Sequence, residues 1–147
     1  MICWRRRKAL AFLLDVNVLL ALVFEAHQHH PLVVSWITGV RECRVCRVTQ
    51  SGFLRLASNS SLWKEEALTL FQAWTVYDAM MEDERFSFAH EPLGLEHLWR
   101  RLTSQEHHSP KVWTDRYLAA FAMADTLALV TLGMEGFVAF RTSRSSS

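Results

Sequence analysis

The chain of 147 residues lacks three features that would each place it in a broad class of proteins. It has only three cysteines, an odd number that does not form the disulfide framework of a secreted domain. Its net charge is +1, so overall charge argues neither for nor against binding to nucleic acid. Its longest apolar stretch is shorter than the ~20 residues that a membrane-spanning helix needs. We therefore expect a cytoplasmic protein that is not inserted in a membrane.

The N-terminus comes closest to a targeting segment. Four basic residues at 5–8 precede a mostly apolar stretch over residues 9–24, as in a signal peptide or a membrane anchor. Asp15 and Asn17 lie inside that stretch, and an Asp at the centre of a spanning helix costs about 2.5–3.5 kcal/mol. No convincing small-residue cleavage site follows. We therefore interpret residues 9–24 as part of the fold.

The rest of the chain has the organisation of one α/β domain. Half of its residues are hydrophobic, which suffices for a core at this length. Short apolar runs alternate with amphipathic helices, a pattern typical of α/β proteins. We predict a single domain whose parts are an extension (1–9), a core (about 10–140) and a flexible tail (141–147). The predicted strands are 10–14, 45–48, 86–88 and 127–131. The predicted helices are 16–24, 31–37, 49–57, 62–76, 94–105 and 114–124.

Polar residues follow the predicted strands. Asp15 ends the first strand, Gln50 comes just after the second, and residues 131–135 include the end of the last. In a parallel sheet with helical crossovers, ligands bind beyond the carboxyl ends of the strands. Asp115 lies in the first turn of a helix that begins at the same edge if it packs antiparallel to its strand. Asp15 and Asp115 therefore predict a carboxylate metal site at this edge.

Four segments together resemble the PIN-domain ribonucleases, and more closely the VapC-type toxins of bacterial toxin–antitoxin pairs. They are LLDVNVLL (13–20), VTQSGFLR (48–55), TDRYLAAFA (114–122) and LVT (129–131). The resemblance implies a PIN-like three-layer sandwich with a central, mostly parallel sheet flanked by helices. It also implies hydrolysis of RNA phosphodiester bonds with Mg²⁺ or Mn²⁺, and neutralisation by a small VapB-like antitoxin.

The resemblance implies a role for each polar residue at the predicted edge. Asp15 and Asp115 bind the metal, Asn17 orients the site, and Thr131 hydrogen-bonds a ligand or water. Structural alternatives stay open for all four. Asp15 is also a favourable helix N-cap, and Asp115 complements the helix dipole. Asn17 fits a helix surface and Thr131 a plain strand end.

Two positions depart from the family pattern. Gln50 stands where the family commonly has an acid, although one branch has a similar Thr-Gln-x-Gly-Phe-Leu-Arg segment. Glutamine can still hydrogen-bond a metal-bound water or a phosphate. Gly133 stands where an Asp usually follows the last strand; Glu135 replaces that Asp if the loop is one residue longer, and is otherwise a solvated loop acid. With Asp15 and Asp115 as the remaining acids, we expect one ion rather than a two-metal clamp.

Basic residues near these segments are candidate phosphate contacts, although basic clusters are usually only solvated faces. The candidates are Arg44, Arg47, Arg55 and Arg116.

An apolar stripe at helical spacing leaves two interpretations open. It comprises Trp63, Ala67, Leu70, Phe71 and Trp74. Such a stripe packs into the core, or it lines a groove for a dimer partner or an antitoxin, since tryptophan is enriched at binding hot spots. We expect a homodimer.

Other motifs give weaker alternatives. Cys43 and Cys46 form a C-x-x-C on or near the second strand, where residues three apart point to opposite faces and cannot chelate one ion. The histidines at 27, 29 and 30 complete no zinc spacing. The main rival is a catalytically degenerate PIN scaffold that binds RNA or protein without cleavage, because Gln50 and Gly133 are not acids. A receiver-like signalling domain is disfavoured because residues 12–14 carry no acidic pair.

Overall fold

The computed structural model describes residues 11–133 and the backbone of residues 136–141. The strands are β1 (Phe12–Leu14), β2 (Cys43–Cys46), β3 (Phe86–Ala89), β4 (Ala128–Gly133) and β5 (Gly136–Arg141). They form one sheet in the order β3-β2-β1-β4-β5, in which β1 to β4 are parallel and β5 is antiparallel to β4. The prediction of a mostly parallel sheet is confirmed.

Helices cover both faces of this sheet. They are α1 (Val16–Val23), α2 (His30–Ile37), α3 (Arg47–Ala57), α4 (Ser60–Trp63), α5 (Leu70–Met81), α6 (Leu95–Leu102) and α7 (Val112–Asp125), with a 3-10 turn at Lys64–Glu66. One buried cluster joins the sheet to α1, α2, α3 and α5, and a second joins it to α6 and α7. The fold is therefore the predicted three-layer α/β sandwich. No helix of the described residues is long and apolar enough to cross a membrane.

Neighbouring residues of the central strands contribute to different faces. Leu14 belongs to the cluster under α1, and Leu13 belongs to the cluster under α7. Both are fully buried, as expected for a parallel strand covered on its two faces. Cys43 and Cys46 are divided in the same way, and both are free thiols. Burial raises the pKa of Cys43 to about 12, so that thiol stays protonated. The prediction that the two thiols of the C-x-x-C lie on opposite faces of the strand is confirmed.

The predicted helix over residues 62–76 is wrong. Lys64 has φ of 53°, and the chain passes through the 3-10 turn before α5 begins. Thr69 starts α5 in a capping box, accepting from the Gln72 backbone N–H while Gln72 accepts from Thr69. The positive φ of Lys64 and the capping box at Thr69 thus separate α4 from α5, and the apolar stripe does not lie on one helix.

Packing divides that stripe as well. Trp63 stacks on Phe24 with ring centroids 4.0 Å apart and is half-buried. Leu70, Phe71 and Trp74 are instead 77%, 80% and 48% exposed, so core packing is the wrong interpretation for these three.

The bounds of α3, α7 and β4, near the predicted site at the sheet edge, also differ from the predicted bounds. Helix α3 begins at Arg47, two residues before the predicted start, and α7 begins at Val112, so Thr114 is not its cap. Strand β4 continues past Thr131 to Gly133, which pairs with Gly136. The predictions contained no strand β5, whose identity depends on pairing with β4.

Candidate active site

Asp15 joins the central strand to the first helix. It directly follows β1 and is the N-cap of α1, where its Oδ1 accepts a hydrogen bond of 2.6 Å from the Val16 N–H. Its own N–H donates to the Val130 carbonyl at 3.1 Å, which ties it to β4. The capping role is confirmed, and it holds the carboxylate at the carboxyl edge of the sheet.

The electrostatics of Asp15 are unfavourable for a carboxylate. Burial raises its pKa above the ordinary value, and the nearby charge of Asp115 raises it further, against the lowering effect of the Val16 N–H. Asp115 lies in the first turn of α7, as predicted, and is exposed. Within residues 11–133, neither carboxylate has a basic partner in an ion pair. Repulsion from the Asp115 charge therefore adds to the cost of burying the Asp15 carboxylate.

Such a pair fits one hard divalent cation. Mg²⁺ is often bound through one or two carboxylates, with water and substrate oxygens completing its shell. No group of three or more His, Cys, Asp or Glu residues in the described part of the chain is arranged as a metal site. Binding of one ion by Asp15 and Asp115 stays a prediction.

Helix α3 contacts the residues on either side of Asp15, Leu14 and Val16. The fully buried Thr49 hydroxyl donates to the Leu14 carbonyl at 3.0 Å, beside the end of β1. A Cβ on Gly52 would lie 2.6 Å from Cγ2 of Val16, so only glycine allows α3 this close to the first residue of α1. Sequence reasoning missed both supporting roles, and the available signal was a Thr and a Gly three residues apart at the start of a helix.

The Gln50 side chain forms hydrogen bonds with two neighbouring side chains. It is 8% exposed, its Oε1 accepts from Nη1 of Arg47, and it forms a hydrogen bond with Tyr77. The Arg47 guanidinium lies 4.7 Å from the centroid of the Phe88 ring. A neutral, engaged side chain thus occupies the position where the family commonly has an acid.

The other departure from the family pattern faces a cavity. Gly133 and Leu132 line a cavity of about 370 Å³ together with Asn17 on α1 and residues 27–29. Because β4 includes Thr131, that residue lies inside the strand, and its interpretation as a strand-end residue is wrong. Glu135 lies outside the described residues, so its proposed replacement of the missing Asp stays a prediction.

Two histidines in this cavity were not among the predicted site residues. Nδ1 of His27 accepts a 3.0 Å hydrogen bond from the His29 backbone N–H, so in the neutral ring the proton is on Nε2. Burial lowers the pKa of His27, and the neighbouring His29 and His30 lower it further. The cavity therefore contains a neutral imidazole donor. Its lining comes from three separate segments, which no local pattern reveals.

The four arginines proposed as phosphate contacts have different surroundings. Arg44 pairs with Glu42 and donates to Ser87. Arg116 donates to the Leu102 carbonyl at 3.2 Å.

Arg47 and Arg55 are both exposed on α3, eight residues or about 12 Å apart along its axis. The structure does not bring the four arginines together, and their contact with RNA stays a prediction.

Comparison with known proteins identifies relatives that cover most of the chain. The chain is 39% identical over 126 residues to Ribonuclease VapC41 of Mycobacterium tuberculosis, covering 81% of this chain and 86% of that protein. It is 36% identical over 134 residues to Ribonuclease VapC44 of the same species, covering 81% and 83%. No family profile matches the chain.

Solved structures show the same architecture at low identity. One is the M. tuberculosis toxin VapC20, described as cleaving the sarcin–ricin loop, with a TM-score of 0.66 and 12% identity over 90% of this chain and 100% of that one. Another is VapBC2 from Rickettsia felis bound to a promoter DNA fragment, with a TM-score of 0.59 and 12% identity over 85% and 89%. With VapC41 and VapC44 as relatives over most of its length, the chain belongs to the VapC family of PIN-domain ribonuclease toxins.

Proposed function

We propose that the protein is a metal-dependent endoribonuclease toxin in which Asp15 and Asp115 hold one Mg²⁺ or Mn²⁺. The observation that carries this proposal is the half-buried Asp15 carboxylate, whose pKa is raised by burial and by the charge of Asp115 and which has no basic ion-pair partner among residues 11–133. A divalent cation offsets both the burial and the repulsion. The family membership supports RNA as the substrate.

The chemistry is hydrolysis of a phosphodiester bond. A divalent cation held by Asp15 and Asp115 would supply Lewis-acid polarisation of the phosphate and would lower the pKa of an attacking water. Asp15 is fixed in direction by its cap hydrogen bond and by the strand end that Thr49 holds. Asn17 faces the same cavity as the neutral His27, whose Nε2–H donates to a phosphate oxygen or a ribose hydroxyl. Gln50 keeps Arg47 at the start of α3 as a phosphate contact.

The proposal includes a VapB-like antitoxin and a homodimer as protein partners. Leu62, Leu70 and Phe71 are each more than half exposed on α4 and the first turn of α5, and exposed apolar side chains of this kind mark interaction sites. Co-expression with the adjacent reading frame should give a complex that a Leu70→Ser, Phe71→Ser double variant weakens. A monomer of unchanged yield and thermal midpoint with that partner contradicts this part of the proposal.

Cleavage of RNA by the purified protein tests the enzymatic proposal. EDTA-treated protein should not cut, and Mg²⁺ or Mn²⁺ should restore cutting, whereas Ca²⁺ and metal-free buffer serve as comparisons. A preparation that binds RNA but never cleaves it under any of these conditions favours the degenerate scaffold. Gln50 and Gly133 are the specific observations behind that second candidate.

A further inference from the structure

Trp113 is an exposed indole with a fixed position. It is the second residue of α7 and is 53% exposed. Trp99 of α6 meets its ring edge-on, with centroids 6.1 Å apart and an interplanar angle of 85°. The Trp99 indole N–H also donates to the Trp113 carbonyl at 3.1 Å. The contact with α6 thus orients the ring and leaves much of it open to solvent.

Two surface cavities share this indole. One, of about 440 Å³, is bordered by the loop between α6 and α7, including Gln105, His107 and His108. The other, of about 390 Å³, lies against Trp99 and Arg100 of α6. Trp113 borders both, so space for a planar ligand exists beside its ring. The walls carry amide and imidazole groups and, in the second cavity, the guanidinium of Arg100 with its ion-pair partner Glu96 at 3.7 Å. These groups can hydrogen-bond the polar edges of a ligand that stacks on the indole.

The position of Trp113 links these cavities to the carboxylate pair. It precedes Asp115 by two residues, which is about 3 Å along the axis of α7, and the two side chains project about 160° apart, on opposite sides of the start of the helix. An extended chain molecule that passes over the start of α7 can therefore present an anionic group on the side of Asp115 and a flat ring on the side of Trp113. A nucleic-acid strand has this alternation of phosphates and flat bases.

We propose that Trp113 is a stacking platform for an unpaired base of the RNA substrate, on the side of the start of α7 opposite Asp115. Unpaired bases stack on exposed aromatic side chains, and polar groups around the ring read their edges. The choice of RNA as the ligand rests on the proposed function. The stacking contact itself is a property of Trp113 and its two cavities, and it does not require the metal.

A fluorescent oligoribonucleotide tests this contact directly. The probe is a short single-stranded RNA carrying 2-aminopurine, whose emission falls when the base stacks, titrated in EDTA so that nothing is cleaved. Wild-type protein should quench it. Trp113→Ala should abolish the quenching and weaken binding about tenfold. Trp113→Phe should restore most of both, and Trp74→Ala, which removes another half-exposed indole on α5, should behave as wild type.

Circular dichroism of each variant checks that the fold persists. Equal quenching and affinity in Trp113→Ala and wild-type protein overturn the proposal, as does a wild-type protein that leaves the probe unquenched. Retained RNA binding by Trp113→Ala together with a lost antitoxin complex assigns the indole to the protein partner instead and also overturns it. Cleavage is measured separately with Mg²⁺, so an inactive protein that still quenches the probe contradicts the nuclease proposal and supports stacking.

Discussion

The carboxyl edge of the sheet has an acidic half and a neutral half. In the acidic half, the charges of Asp15 and Asp115 repel each other, and neither has a basic ion-pair partner in the described part of the chain. In the neutral half, Gln50 is engaged by Arg47, and Gly133 opens a cavity that contains His27. Among the described residues, negative charge thus lies where no ion pair neutralises it, and neutral or basic groups lie at the two departures from the family pattern. This comparison supports the proposal that a cation binds in the first half and that polar parts of a substrate bind in the second.

Removing an acid should have the largest effect. Asp15→Asn and Asp115→Asn should each lower the cleavage rate about 10³-fold, because the cation contributes several kcal/mol to charge stabilisation in the transition state. Asparagine is also a good N-cap, so Asp15→Asn should keep the start of α1. Single-turnover cleavage at saturating Mg²⁺ measures the effect. Asp125→Asn, at the last residue of α7, is the matched control and should retain full activity. Near-normal cleavage by either site variant would remove the acidic half from the mechanism.

A substitution at Gly52, where α3 packs against the start of α1 next to Asp15, should have the next largest effect. A Cβ at position 52 meets the stiff, β-branched Val16 at 2.6 Å, so Gly52→Ala forces α1 and α3 apart. We expect unfolding to become easier by about 1–3 kcal/mol, measured by urea denaturation. Gly39→Ala is the control, because its nearest atom is the Trp36 carbonyl oxygen at 3.9 Å. Equal losses in both variants would show that close packing at Gly52 has no special role.

Adding an acid to the neutral half should have a smaller effect. Gly133 lies in β4, whose extended backbone suits aspartate, and it borders the cavity beside Asn17. Gly133→Asp should tighten Mn²⁺ binding about tenfold by supplying a further carboxylate oxygen, as measured by calorimetry. Gln50→Glu should change little, because Arg47 neutralises the new charge. The opposite ranking of the two variants would place the cation nearer Gln50 than Gly133.

Local sequence signals sufficed for part of this site and failed for the rest. Asp15 was predictable because one residue both ends an apolar strand and caps a helix, and Asp115 because first-turn acids are common. The cavity around His27 was not, since its three segments meet only after the sheet has formed. The spacing of Leu70 and Phe71 led to the wrong prediction of one helix over residues 62–76. The helical period does not continue across Lys64, where the backbone turns. The spacing of Thr49 and Gly52 at the start of a helix was a signal too weak to assign their roles, which depend on how closely α3 approaches α1.

The smallest expected effect concerns stability rather than activity. Burial and Asp115 raise the pKa of Asp15 in the folded protein, so the folded state binds its proton more tightly than the unfolded chain does. The free energy of unfolding of the metal-free protein should therefore fall as pH rises through the unfolded pKa of about 3.9 and past the raised folded value. Asp15→Asn removes this penalty while keeping the cap. In EDTA at pH 7 the variant should be more stable than wild type, and the difference should vanish at pH 3, where Asp15 is neutral in both states.

Added Mg²⁺ should reverse that order at pH 7, because a ligand that binds only the folded state stabilises it and the variant binds it poorly. Urea denaturation at the two pH values, with and without the cation, separates these effects. A variant that is less stable than wild type in EDTA at pH 7 would mean that the ionised carboxylate is worth more as a cap than it costs by burial. The unfavourable Asp15–Asp115 pair would then no longer be the reason why the acidic half of the edge needs a cation.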